Sequence, residues 1–321
     1  MIDFVPLLVL TALVVLFGFL AFRAWGSKRA WLKWVGVILA GLLAFVFAIV
    51  LIVVVMGTLK LNQNYSASNP VVEVKVAGTP EQLARGKQLT QSCGCHGENF
   101  GGTDFAAETG MPIGTLYAPN LTPAGDLKNW SDGEIVRAIR EGVHKNGRSL
   151  IIMPATVFHH MSDDDVHSVV AYLRSLPPVE PDTAPNGLNA LGAALVATIF
   201  ISGQTVQPHI TETITAPPQG VTAEYGGYLV SIIGCADCHA QNLAGIKATD
   251  GPPPGPNLTT IVPKWSEQDF LNLMRKGTLP DGKQVGAEMP WQEFSKMTSD
   301  DELKAMYLYL HSLAPLPDNP Q

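Results

Sequence analysis

The chain has 321 residues, enough for two or three domains of ordinary size, and carries a formal net charge of −7. Its mean hydropathy of +0.17 is high for a wholly water-soluble chain, so part of the sequence is expected in lipid. From residue 61 onward 16 Lys and Arg face 27 Asp and Glu, a net of −11, which disfavours nucleic acid or anionic lipid as a partner and suits a partner with a basic docking face.

Phe4 to Phe22 is 19 residues long and Trp34 to Thr58 is 25, and both runs are nearly uncharged. At about 1.5 Å per residue each is long enough to cross a hydrocarbon core. Arg23, Lys28, Arg29 and Lys33 lie between them with no acid, while the N-terminal tip holds only Asp3. The basic loop is therefore expected in the cytoplasm and both ends of the hairpin outside. A cleaved signal peptide calls for a basic start, and Met-Ile-Asp-Phe is acidic, so the hairpin is expected to be retained. Residues 1–60 are read as this hairpin and 61–79 as a linker.

Only four cysteines occur, in Cys93-Gly94-Cys95-His96 and Cys235-Ala236-Asp237-Cys238-His239. The second group fits the C-x-x-C-H pattern, in which two thiols bond to haem vinyls and the adjacent His ligates iron. Neither zinc, which needs four ligands, nor a thioredoxin-like site, which needs a βαβ context, suits the flanking sequence. An internal repeat strengthens the haem reading. After His96 come Pro119-Asn120-Leu121-Thr122, Trp130-Ser131, Met153-Pro154, Met161-Ser162-Asp163-Asp164 and Tyr172-Leu173. After His239 come Pro256-Asn257-Leu258-Thr259, Trp265-Ser266, Met289-Pro290, Met297-Thr298-Ser299-Asp300-Asp301 and Tyr309-Leu310, in the same order.

These residues resemble the class I cytochrome c family, in particular the paired cytochrome domains of membrane dehydrogenase and oxidase subunits. The resemblance covers residues 80–178 and 222–315, and it implies an all-α fold of two cytochrome c domains behind the hairpin, at 80–178 and 222–321. It implies two haem c groups, with His96 and Met153 as axial ligands of one iron and His239 and Met289 of the other. A thioether is a soft ligand that favours ferrous iron, so such a pair raises the potential and closes the iron to substrates. Met161 and Met297 compete for the role, but each is read as opening an amphipathic helix and therefore as core. Pro119 and Pro256 take the family's supporting role, a backbone carbonyl that accepts from the ring N–H of the ligand His. Trp130 and Trp265 each precede a Ser with a carboxylate three residues on, a helix cap as much as a haem contact. The repeats open in helices bearing Gly86 or Gly227 and close in helices bearing Tyr172 or Tyr309, and in the family these helices cross.

The first motif is one residue short, with Ser92 where a first cysteine would stand relative to His96. One thioether through Cys95 is the simplest outcome, and a second through Cys93 requires Gly94 to let the loop close. Residues 179–221 are read as an interdomain linker with an apolar helix, because the uncharged run Leu188–Ser202 is only 15 residues and a third crossing would put Cys235 in the cytoplasm. His159 and His160 lie close enough in sequence to compete with Met153, whereas His144, His167, His209 and His311 are expected on solvated surface. The whole reads as a membrane-anchored electron carrier with no catalytic residue of its own, partnered by other subunits of a respiratory or photosynthetic complex and by the bilayer. The cytochrome arm of a membrane dehydrogenase is the alternative, a dihaem peroxidase would need an open iron, and a haem sensor would need an output domain.

Overall fold

A computed structural model describes residues 5–92, 94–180, 186–198, 206–247 and 254–319. Helices α1 (Val5–Trp25) and α2 (Ala30–Asn62) fold back on each other around a four-residue turn, with Phe17 stacked on Phe47 at 5.6 Å. Both extend beyond the apolar runs expected from sequence, since flanking residues such as Ala24 and Ala30 are good helix formers. Their outer faces stay bare: no residue of α1 is buried, and in α2 only Ala40, Val54 and Gly57 are. At the turn Lys33 Nζ lies 4.0 Å above the Trp25 ring, and Trp34 packs edge-on against it.

The first domain begins with α3 (Pro80–Leu89), capped by Thr79 and Gln82 with Pro80 in the first turn, and continues through short 3₁₀ turns at Thr90–Ser92 and Gly94–His96. An excursion follows, made of β1 (Thr103–Asp104), α4 (Phe105–Thr109), β2 (Gly114–Thr115) and β3 (Tyr117–Ala118), with β1 antiparallel to β3. Then come α5 (Asp132–Glu141), α6 (Ala155–Phe158) and α7 (Asp163–Ser175). Ser131 forms a capping box with Glu134 on α5, so the Trp130-Ser131 pair serves as a helix start. Gly142, at φ 70°, ends that helix in the left-handed region that glycine tolerates.

The stretch between the domains is more than a tether. β4 (Gly187–Leu188) pairs with β2, and α8 (Ala190–Thr198) follows within the uncharged run. Gly57 marks its crossing with α2, where a Cβ would lie 1.7 Å from the Ala193 carbonyl oxygen. Further on, residues 206–214 strap across the first domain. Gln207 N–H donates to the Glu141 carbonyl at 3.0 Å, Asp163 N–H to the Ile214 carbonyl at 2.9 Å, and His209 Nδ1 meets Glu141 Oε1 at 2.9 Å. His209 is thus packed rather than solvated as expected, and His144 likewise lies edge-on to Trp130 at 4.7 Å. Neither contact has a local sequence signal, because each joins residues separated by at least one whole helix.

The second domain repeats the first with α9 (Ala223–Ile232), α10 (Cys235–His239), α11 (Leu258–Ile261), α12 (Glu267–Lys276), α13 (Trp291–Met297) and α14 (Asp300–Ser312). The first and last helices cross in both domains. A Cβ on Gly86 would meet the Ser168 carbonyl oxygen at 1.9 Å, and a Cβ on Gly226 the Ala305 carbonyl oxygen at 1.9 Å. The crossing glycine of the second domain is therefore Gly226 and not Gly227, which faces the Tyr309 ring at 3.0 Å; two consecutive glycines made the register ambiguous in sequence. Met161 and Met297 are both buried, as core residues should be, although Met297 ends α13 instead of opening α14.

The two domains meet reciprocally. The helix after each Met-Pro packs on the segment leading into the other domain's cysteine motif: α6 against α9, and α13 against the turn Thr90–Ser92. Between them Arg85 donates from Nε to Asp165 Oδ1 at 2.8 Å and from Nη1 to Glu302 Oε1 at 2.7 Å. Tyr228 Oη donates to Asp165 Oδ2 at 2.6 Å and Tyr225 Oη to Glu302 Oε1 at 3.3 Å. Asp165 and Glu302 occupy the third positions of α7 and α14, so equivalent residues of the repeat supply the two carboxylates.

Candidate functional site

Each histidine of a cysteine motif is held by one carbonyl. His96 Nδ1 lies 2.9 Å from the Pro119 oxygen and His239 Nδ1 2.7 Å from the Pro256 oxygen. A carbonyl only accepts, so Nδ1 carries the proton and Nε2 keeps a free lone pair. Burial lowers the pKa of both imidazoles against the opposing pull of these carbonyls, which keeps the rings neutral and fit for a metal.

The carbonyl is in turn fixed by an asparagine whose role has no motif of its own. Asn120 Oδ1 accepts from the Thr122 backbone N–H at 2.8 Å and its hydroxyl at 2.7 Å, while Nδ2 donates to the Val179 carbonyl at 2.8 Å. Asn257 does the same with Thr259, at 3.0 and 2.7 Å, and with the Leu316 carbonyl at 2.9 Å. All four side chains are buried. The repeated Pro-Asn-Leu-Thr was the available signal. Gly255 also matters in the second domain, where a Cβ would lie 2.3 Å from the Cys238 carbonyl oxygen.

The loop after each histidine has one shape. Gly102 N–H donates to the His96 carbonyl and Gly245 N–H to the His239 carbonyl, both at 2.9 Å. Phe100 and Leu243, each four residues past its histidine, take φ of 59° and 57°, and their carbonyls accept from Leu121 and Leu258. The missing residue of the first motif is therefore absorbed before His96. There the second domain has the helix Cys235–His239, and the first has a tighter 3₁₀ turn over Gly94–His96. Cys95 is exposed, whereas Cys93 lies outside the described residues.

Burial pushes the Cys235 thiol up to about 12, with Cys238 adding to the effect, and burial raises Cys238 as well. A dithiol working by exchange needs the opposite shift. Among the described residues no group of three or more His, Cys, Asp and Glu side chains could hold a metal by itself. These cysteines are suited to a covalent bond with an apolar group.

Met153 and Met289 are half-buried against the shared core. Each stands before an inverse γ-turn: Ala155 N–H donates to the Met153 carbonyl and Trp291 N–H to the Met289 carbonyl, both at 2.8 Å. Pro154 at φ −78°, ψ 59° and Pro290 at φ −81°, ψ 55° are the central residues. Proline fixes φ there, so Met-Pro sets the direction in which the methionine leaves the helix that follows. His159 Nδ1 is taken up by the Arg140 carbonyl at 3.1 Å. The donor set of a neutral imidazole, a soft thioether and adjacent thiols fits a covalently bound haem.

Comparison with known proteins agrees. The profile of the family described as Cytochrome c matches residues 83–177 and 226–314, and the chain belongs to that family. Two haem c groups are its cofactors. The chain is 25% identical over 274 residues to the cytochrome c subunit of the quinone alcohol dehydrogenase of Gluconobacter oxydans, covering 74% of this chain and 55% of that protein. It is 30% identical over 260 residues to a nicotinate dehydrogenase subunit of Pseudomonas putida, covering 72% and 21%. A diheme cytochrome c-type protein of Cereibacter sphaeroides is 24% identical over 262 residues, covering 73% and 86%. The chain spans about half the length of the alcohol dehydrogenase subunits it matches.

Proposed function

We propose that this chain is a membrane-anchored dihaem cytochrome that passes single electrons, one haem in each domain, as the carrier subunit of a membrane dehydrogenase or a related respiratory complex. The observation that carries the reading is the duplicated kit: a histidine held at Nδ1 by a proline carbonyl, and a methionine set by a proline turn. Haem c supplies a ferrous–ferric couple that moves one electron at a time. His96 with Met153 would hold one iron and His239 with Met289 the other, which would leave neither iron open to a substrate. Cys235 and Cys238 would tether the second haem by two thioethers, and Cys95 the first by one.

The two long apolar helices support anchoring, and the basic turn between them supports a cytoplasmic loop with both haem domains outside. Relatives named as cytochrome subunits of alcohol, fructose and gluconate dehydrogenases support a catalytic partner on another chain. The exported part, at −11, offers that partner or the next carrier an acidic face. A redox titration of the purified chain should resolve two one-electron waves, and the reduced protein should not bind carbon monoxide. Carbon monoxide binding at either haem would contradict closed ligation and favour a peroxidase.

A further inference from the structure

The first domain carries a feature with no counterpart among the described residues of the second. Residues 103–118 leave the domain as β1, α4, β2 and β3, and their far end is fastened to the start of α8. Asn189 N–H donates to the Ile113 carbonyl at 2.9 Å and Asn189 Nδ2 to the Pro112 carbonyl at 2.9 Å. Ala106, Ile113 and Leu116 form a small separate core there, joined by Leu188 and Leu195. The opposite side of α8 packs on α2, burying Val54, Gly57, Ala193, Val196 and Ala197. Thus α8 is a bracket between an anchor helix and the first domain.

Its depth follows from the length of α2. Trp25 and Trp34 mark the basic end of the hairpin, where Trp normally sits at the membrane boundary. Gly57 is 23 residues beyond Trp34, about 35 Å along a helix, and a hydrocarbon core is about 30 Å thick. Gly57, and α8 with it, therefore stands at the far boundary of the bilayer. At this level the chain exposes Met56, Leu59, Met111 and Leu191, at 50%, 67%, 38% and 48%. The helix Ala190–Thr198 has no charged side chain, and the exposed turn 107–112 has one, Glu108.

We propose that α8 and the turn 107–112 rest on the lipid surface of the outer leaflet, so that the first haem domain is seated on the membrane by its own bracket. The partner is the acyl–headgroup boundary, because the exposed apolar residues continue the bare outer face of α2 without a break in level. This rests on the reading that α1 and α2 span the membrane.

The holoprotein in phosphatidylcholine vesicles carrying a photoreactive acyl chain tests it, with adducts mapped by mass spectrometry. Adducts are expected on the peptides containing Met111 and Leu191 as well as on α1 and α2, and not on α12. Labelled α1 and α2 with blank Met111 and Leu191 peptides would overturn the seating and leave the anchor standing. Blank α1 and α2 would overturn the anchor, and the seating with it. Loss of the Met111 and Leu191 adducts in the native complex, with α1 or α2 still labelled, would assign the face to a partner subunit and equally overturn the proposal.

Discussion

At His96 and His239 the chemistry is set by a backbone oxygen, and that oxygen is placed by a buried asparagine. Replacing Asn257 by Ala leaves the Leu316 carbonyl and the Thr259 N–H without their partner. The expected cost is about 1–3 kcal/mol of holoprotein stability in a denaturant titration, against the roughly ±0.5 kcal/mol of an ordinary surface change; a cost in the surface range would show that the carbonyl needs no such support. At the short motif the two cysteines should behave differently. With a single link through Cys95, Cys95→Ala abolishes covalent haem in the first domain, and Cys93→Ala leaves it stained and reducible. The vinyl left free also shifts that haem's reduced α-band to the red of the second. Equal loss of haem in both variants, with mass spectrometry showing both cysteines modified, would mean that Gly94 lets the loop close over two bonds. The two histidines were readable from the cysteine motifs and the proline carbonyls from the family resemblance, whereas the role of Asn120 and Asn257 was not, since their partners Val179 and Leu316 lie 59 residues away in each case.

Helix crossings and helix ends form the next level of structure. Gly86→Ala forces a Cβ toward the Ser168 oxygen from 1.9 Å and should cost about 1–3 kcal/mol or more as overpacking. Gly227→Ala meets only the Tyr309 ring at 3.0 Å, a side chain that can yield, and should be much milder. Equal costs in thermal unfolding would undo the assignment of Gly226 as the crossing residue. The caps at Ser131 and Ser266 were visible as a Ser with a carboxylate three residues on and form the boxes their sequences announce, whereas α4 and α11 start at Asp104 and Asn257. The register of Gly226 and Gly227 was not visible, because which of two adjacent glycines touches a backbone depends on the rotation of α9 against α14.

The domain interface has its own pH dependence. Burial, and then the charge of Asp165, raise the Tyr228 hydroxyl; burial, against the opposing charge of Arg85 and helped by Glu302 and Asp165, raises Tyr225, both from an ordinary 10.0. A raised folded value means that the native state holds these protons more tightly than the unfolded chain. Their contribution is complete below pH 10.0 and is lost as pH rises from there toward the higher folded values. Stability measured against pH should therefore fall more steeply above pH 10.0 in the native sequence than in the Tyr225→Phe, Tyr228→Phe variant. Parallel curves would show that the two hydroxyls stay neutral neighbours of the carboxylates without linkage.

Across the molecule, duplication explains the arrangement. Two copies of one domain meet so that each Met-Pro helix backs onto the other's cysteine segment, and equivalent residues Asp165 and Glu302 close on Arg85. The hairpin followed from apolar run length and the repeat from motif order, while the all-helical class followed from the resemblance those motifs carry. The strap through His209 and the bracket at α8 did not, because pairing between Glu141 and His209, or Gly57 and Ala193, is a property of how remote segments are folded together. The proposed electron transfer rests on both irons being held by one histidine and one methionine. Near-infrared magnetic circular dichroism of the oxidised chain tests this directly: the methionine-to-ferric-iron band is expected at two haems per chain, and halved in Met289→His. A bis-histidine signature or a high-spin haem in the native sequence would contradict it.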